Sequence, residues 1–258
     1  FVRGKRIFMA EAFYDLSHPL RRDLHRRYIR QCLENLARET NVVHVLGEEY
    51  SGPLEFMQFW LDTAGEWRRE SGNHPLLALS APKDVQDAIL VDPTRAVEVD
   101  VIDFKYWWVS PKGTFAPLGG QNLAPRQSER QWKGGRPTDA TLASMAAEYR
   151  AKYPDKAIIC DFPQAGWAFL CAGGSLANVP RTTPRALLTA AAQMKPYAIP
   201  TGHALRGDGP QFLLWLPPGA EAEIDLSAEK GMLEVFSVDQ QSGDLQAHRE
   251  RIPCGGNA

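Results

Sequence analysis

Glu48 and Glu49 stand side by side in the run Val42-Val43-His44-Val45-Leu46-Gly47-Glu48-Glu49-Tyr50-Ser51-Gly52. The residues before them are short, β-branched and nearly all apolar, the pattern of a parallel strand covered on both faces. On a regular strand, neighbouring side chains point to opposite faces. Just past its end, a turn can aim one carboxylate inward and the other at a wall. Two close carboxylates raise the pKa of one of them, as general acid catalysis near neutral pH requires. The same pair also suits a blander role, a solvated acidic pair ahead of a helix N-terminus, where negative charge is favoured. Spacing alone leaves both readings open.

The elements that must position this pair follow a simple alternation. Ile7–Phe13 reads as a strand, and Ser17 or His18 caps a helix with Pro19 in its first turn. Leu20, Leu24, Tyr28, Cys32 or Leu33, and Leu36 form its expected packing face. Ser51-Gly52-Pro53 opens a helix with the stripe Phe56, Trp60, Ala64 and Trp67. Leu76–Leu79 and Val97–Phe104 read as strands around a helix at Lys83–Leu90. Ser110 to Arg136 is a loop of roughly 25 residues, a length that is usually functional or mobile. Thr138 caps a helix with Leu142, Met145, Tyr149 and Tyr153 on one face. Lys156–Cys160 is a strand, Trp167–Ala172 a helical turn or two, Leu176–Val179 a last strand, and Thr183-Pro184 opens a helix to Met194. These make about six strand–helix units, which imply parallel strands joined by right-handed crossovers.

A doubly wound open sheet and a (β/α)8 TIM-type barrel both fit this order. No Gly-x-Gly-x-x-Gly follows a strand, which weakens the nucleotide-binding open sheet. Acidic and aromatic residues cluster just after strands, at Glu48/Glu49, Tyr106–Trp108 and Asp161, the end where barrel active sites lie. The barrel is therefore the expected fold, over residues 1–203. From Pro210 the pattern becomes β-like: Phe212–Leu216, then Ala222, Ile224 and Leu226 alternating with acidic residues, then Leu233–Val238. Residues 204–258 are expected to form a small antiparallel β-domain packed on the barrel.

Composition narrows the function classes. Hydrophobic residues make up 44% of the 258, too many for a disordered chain. Lys+Arg number 29 against 31 Asp+Glu, so charge gives no reason to expect nucleic acid or an anionic membrane surface. No apolar run approaches the ~18 residues of a membrane span. Cys32, Cys160, Cys171 and Cys254 match no zinc or redox spacing. Buried free thiols are the simpler reading, and a Cys160–Cys171 bridge stays open. No His/Cys/carboxylate spacing suggests a metal site.

Asn41 through Glu49 resembles the strand-four motif of clan A glycoside hydrolases, commonly Asn-Val-Ile-x-x-x-Gly-Asn-Glu with the last Glu as acid/base. Glu49 holds that Glu position, and Glu48 replaces an Asn that contacts the sugar hydroxyl beside the scissile bond. The tail, Phe212-Leu213-Leu214-Trp215-Leu216-Pro217-Pro218-Gly219, Ile224-Asp225-Leu226 and Leu233–Gln240, is similar to the small C-terminal β-domain of apiosidase-like hydrolases, a domain described there as collagen-binding. The resemblance implies a glycosidase, retaining in outcome, acting on complex polysaccharide in the periplasm or outside the cell, with no cofactor. The family's second carboxylate ends strand seven, here Lys156–Cys160, so Asp161 is the candidate where the family usually has Glu. A turn or helix cap is its blander role, and Asp103 and Glu11 are the other candidates.

Substrate contacts follow from residue chemistry. Aromatic faces stack on sugars, so Tyr106 or Trp108 is expected to line the cleft, with barrel packing as the alternative. Gln121 and Arg126 offer hydrogen bonds to hydroxyls or a uronate carboxylate. Lys83, Tyr14 and His18 follow strands and are further candidates, although a His at a helix start also serves as a cap. The rival reading is a non-catalytic carbohydrate- or collagen-binding protein on a degenerate barrel. A third, an unrelated esterase or metal hydrolase, lacks a Gly-x-Ser-x-Gly elbow. Alignment with the clan leaves one strand before Val42–Leu46. Strands one and two are thus expected in a further segment of about 100 residues, or in a second chain that completes the barrel.

Overall fold

A computed structural model describes residues 10–47, 50, 52–81, 83–104 and 137–255. The chain forms two compact units, Phe1–Arg136 and Pro137–Ala258.

The first unit holds α1 (Ala10–Tyr14), α2 (Pro19–Asn35), β1 (Val43–Leu46), α3 (Leu54–Ser71), β2 (Leu76–Leu79), α4 (Lys83–Leu90), α5 (Pro93–Ala96) and β3 (Val101–Phe104). β1 pairs in parallel with β2, Val43 opposite Leu76 and Leu46 opposite Leu79, and β2 pairs in parallel with β3. Ser80 N–H donates to Leu46 O at 2.9 Å and carries the ladder one step past β2. Leu77, Ala78 and Leu79 are wholly buried, so β2 is covered on both faces. β1 departs from that expectation: Val43 and Val45 are exposed and only Leu46 is buried. Among the described residues its one ladder partner is β2.

α2 also differs from its sequence reading. Leu20, Leu24 and Tyr28 are each more than half exposed, while Ile29 and Leu33 are buried. The row that docks is His25–Ile29–Leu33. His25 lies edge-on to Phe56, ring centroids 5.0 Å apart, and Arg26 and Arg30 pair with Glu66 and Glu70 of α3. These steps of four on each helix set α2 and α3 parallel, as successive strand–helix units require. Two apolar rows share this helix, and periodicity does not say which one meets a neighbour.

Two further readings change. Residues 10–13, expected in a strand, are helical. Val97–Asp100 precedes the ladder, since Asp92 caps α5 just ahead of it and β3 starts at Val101.

Arg68 of α3 clasps the starts of the next two strands. Its guanidinium donates to Pro75 O at 2.6 Å, Asp100 Oδ2 at 2.5 Å, and Glu98 O and Oε2, each at 3.1 Å. Asp100 Oδ2 in turn accepts Leu77 N–H at 2.8 Å. Gly65 leaves room for the cluster: a Cβ there would meet Glu98 Oε1 at 2.5 Å.

The second unit holds α6 (Asp139–Lys152), β4 (Ala157–Cys160), α7 (Trp167–Cys171), α8 (Arg185–Ala191), β5 (Lys195–Tyr197), β6 (His203–Arg206), β7 (Phe212–Trp215), β8 (Gly231–Val238) and β9 (Leu245–Cys254). Thr138 caps α6, its hydroxyl accepting Thr141 N–H at 3.2 Å. Arg150 of α6 donates to Pro154 O and Lys156 O at 2.8 Å each, to Gly173 O, and to Ser175 Oγ at 3.2 Å. The Leu176–Val179 strand reduces to one parallel bridge, Ile159 to Leu176.

Antiparallel pairing begins at Lys195, with β5–β6–β7 forming one sheet. Leu205 and Leu213 pack from that sheet onto Trp167, Leu170 and Cys171 of α7 and Ala191 of α8. β8 and β9 form a hairpin with a bulge between Glu234 and Phe236. Ala222–Leu226, expected as a strand, joins no ladder. All four cysteines are free, so Cys160 and Cys171 are not bridged. Burial pushes the Cys171 thiol up to about 12.

Candidate functional site

The C-terminal ends of β1 and β2 carry a tightly built corner. Gly47 follows β1 with φ 78, the left-handed region that favours glycine. A Cβ at this position would lie 2.6 Å from Tyr50 Cβ, 2.7 Å from Met57 Cε and 3.1 Å from Ser80 O. Tyr50 N–H donates back to Gly47 O at 2.5 Å, and the interval between them in sequence is Glu48-Glu49.

Tyr50 is buried, and its hydroxyl donates to Pro53 O at 2.5 Å. Its ring stacks on Phe56 (6.5 Å, 12°) and meets Tyr14 edge-on at 5.6 Å. Tyr14 also packs edge-on against Phe56 at 4.8 Å. Gly52 fits under both phenols: a Cβ there would meet Tyr50 Oη at 2.7 Å and Tyr14 Cζ at 2.9 Å. Burial, and then the Tyr14 phenol, hold the Tyr50 hydroxyl far above the usual phenol range, so it stays a donor across the working pH range.

Past β2, Ser80 and Gln86 are wholly buried. Gln86 Oε1 accepts Ala81 N–H at 3.4 Å, whereas Ser80 Oγ and Gln86 Nε2 have no hydrogen-bond partner among the described residues. Lys83, the first residue of α4, pairs with Asp87 one turn on at 2.8 Å and is largely buried. That pairing gives it a structural job alongside any contact with substrate.

The structure therefore brings Tyr14 to the corner that follows β1 and puts Lys83 just past β2. It puts His18 elsewhere in role: exposed, it caps α2, Nδ1 accepting Arg21 N–H at 3.4 Å. Asp103 is buried within β3, Glu11 lies in α1, and Asp161 is exposed one residue past β4. Glu48, Glu49, Tyr106, Trp108, Gln121 and Arg126 lie outside the described residues. Tyr50, Gly47 and Gly52 had no assigned role from the sequence; the glycines flanking an acidic pair were the available signal. No group of His, Cys, Asp and Glu suited to a metal occurs among the described residues.

Comparison with family models matches residues 1–194 to a Domain of unknown function (DUF6298). The chain belongs to that family. Comparisons with curated proteins and with solved structures found no match.

Proposed function

We propose that this chain is a glycoside hydrolase in which Glu49 protonates the glycosidic oxygen of a complex polysaccharide or oligosaccharide. The observation that carries the reading is the corner past β1, where Gly47 and Tyr50 bracket the acidic pair at the C-terminal end of a parallel strand. Ligand sites of parallel α/β folds gather at that end. The resemblance of Asn41–Glu49 to the clan A acid/base motif supports the same assignment.

The proposed frame is a (β/α)8 barrel followed by a small C-terminal β-domain. Asp161 is the proposed second carboxylate. In a retaining reaction, with the carboxyls about 5–5.5 Å apart, it attacks the anomeric carbon while the leaving oxygen takes the Glu49 proton. Glu49 then removes a proton from the water that releases the sugar. In an inverting reaction, Asp161 instead activates water directly. Glu48, Tyr14, Lys83, Tyr106, Trp108, Gln121 and Arg126 are the proposed sugar contacts. The reading needs no cofactor and fits a periplasmic or extracellular enzyme.

A second reading, glycan or collagen binding without turnover, draws on two departures from the clan pattern, Glu48 for Asn and Asp161 for Glu. Sugar release from a panel of plant-wall polysaccharides separates the two. Hydrolysis predicts release that Glu49→Gln lowers by at least ~100-fold. Retained glycan binding without release in the wild type would favour the second reading.

A further inference from the structure

Asp161 lies in a bend whose two flanks are tied to one neighbouring segment. Residues 173–178 run alongside β4 and bond to it step by step. Ser175 N–H donates to Ile158 O at 2.7 Å, and Ser175 Oγ accepts Ile158 N–H at 2.9 Å. Leu176 then bridges Ile159 in parallel. β4 ends at Cys160, but the attachment goes on. Asn178 N–H donates to Ala165 O at 2.7 Å, and Asn178 Nδ2 donates to Pro163 O at 3.1 Å. The loop also closes on itself, Ala165 N–H donating to Phe162 O at 2.9 Å. Asp161 thus falls between the Ile159 bridge and the Asn178 clamp, and it is exposed. Its backbone is fixed on both sides while its side chain stays open to solvent.

We infer that Asn178 is the positioning residue for Asp161, its side-chain amide holding the loop beyond β4 in the line that the strand sets. The inference rests on the reading of Asp161 as the second carboxylate, but its first test does not. A carboxylate on an untied loop wanders from its productive place, and a misplacement of about 1 Å can cost about a hundredfold in rate. Asn178 acts through the backbone at Pro163 and Ala165 rather than by contact with substrate.

The test is 15N relaxation by NMR on the full chain. In the wild type, the Asp161 amide has an order parameter of about 0.85, that of rigid backbone. Asn178→Ala removes the clamp and takes that amide towards about 0.6. Asn178→Asp is the stricter variant: it keeps the size, loses the donor and sets an oxygen against Pro163 O, and it loosens the loop at least as much. Asn178 is exposed, so neither change disturbs the core. Thr189→Ala, exposed on α8, leaves Asp161 rigid. The inference is overturned if the Asp161 amide is already mobile in the wild type, or if both Asn178 variants leave it rigid.

Turnover supplies the second readout. On a polysaccharide that the wild type cleaves and Asp161→Asn does not, Asn178→Ala lowers kcat about tenfold with KM unchanged, the signature of an effect confined to the transition state. If no polysaccharide is cleaved, or Asp161→Asn cleaves as well as the wild type, the reading of Asp161 fails and relaxation alone judges Asn178. If Asp161→Asn is inactive while Asn178→Ala turns over like the wild type, Asn178 fails alone.

Discussion

Arg68 and Arg150 do the same structural job by different chemistry. Each sits in the last turn of a long helix and grips the chain that leads into the following strand: Pro75 ahead of β2 for Arg68, Pro154 and Lys156 ahead of β4 for Arg150. Each also has a glycine that makes room, Gly65 beside Glu98 and Gly173 against the Arg150 side chain, where a Cβ would lie 2.7 Å from Cγ. Arg68 is held by two carboxylates, Glu98 and Asp100. The bonds of Arg150 run to carbonyls and one hydroxyl, and Ser175 Oγ relays it to Ile158 N–H at 2.9 Å. Burial pulls the Arg150 guanidinium below its usual range, against the opposing pull of Asp155. A strand start can thus be pinned by charge balance or by donor geometry, and the two answer differently to mutation.

The largest effect separates them by magnitude. Arg68→Met takes the shared guanidinium from Asp100 and leaves Glu98 with the exposed Arg69 in a mostly buried cluster, and costs about 3 kcal/mol. Arg150→Met strands carbonyls that water partly reaches and costs about 2 kcal/mol. Urea unfolding checks both, and equal losses would erase the distinction.

Lysine sharpens the comparison. At position 68 a lysine keeps the charge, so Arg68→Lys retains about half of the stability that methionine loses. At position 150 only the planar fork spans Pro154, Lys156, Gly173 and Ser175, so Arg150→Lys falls close to Arg150→Met.

A smaller effect lies in the histidines. Burial, then the Arg68 charge, holds His44 below the ordinary histidine range; burial alone does so for His203. Both groups are neutral in the fold and take up a proton more readily when unfolded. Stability is therefore flat above the unfolded value of about 6.5 and falls as pH drops through it. It levels off only below the depressed folded values. In Arg68→Met, the His44 titration seen by NMR moves back towards 6.5, while Arg150→Met leaves His203 where it is.

The smallest expected effect falls on the exposed row of α2. Leu33→Ala costs about 2–3 kcal/mol, whereas Leu24→Lys on the exposed row stays within roughly 0.5 kcal/mol. A large loss from Leu24→Lys would restore the row that periodicity favoured.

Local signals were legible in the sequence where one chemical rule decides. The Thr138 cap, the β2 run Leu76–Leu79 and the helix at Lys83–Leu90 all stand where residue pattern places them. Choices between equal local patterns were not. α2 offers two apolar rows, and the partner helix selects Ile29 and Leu33 through Phe56 and the Arg26 and Arg30 ion pairs. The alternation at Ala222–Leu226 fits a strand, yet the segment joins no ladder among the described residues. At the candidate site, the glutamate pair stood out by composition and motif. The packing of Tyr50 did not, because it depends on a carbonyl three residues on and on an aromatic neighbour from α1.

The most direct test of the functional account is sugar release from plant-wall polysaccharides by the wild type and by Glu49→Gln, with products identified by chromatography and NMR. The account predicts release by the wild type and a loss of at least ~100-fold in the variant, with the fold intact by circular dichroism. Equal release by the two proteins, or none by the wild type on any glycan, would contradict it.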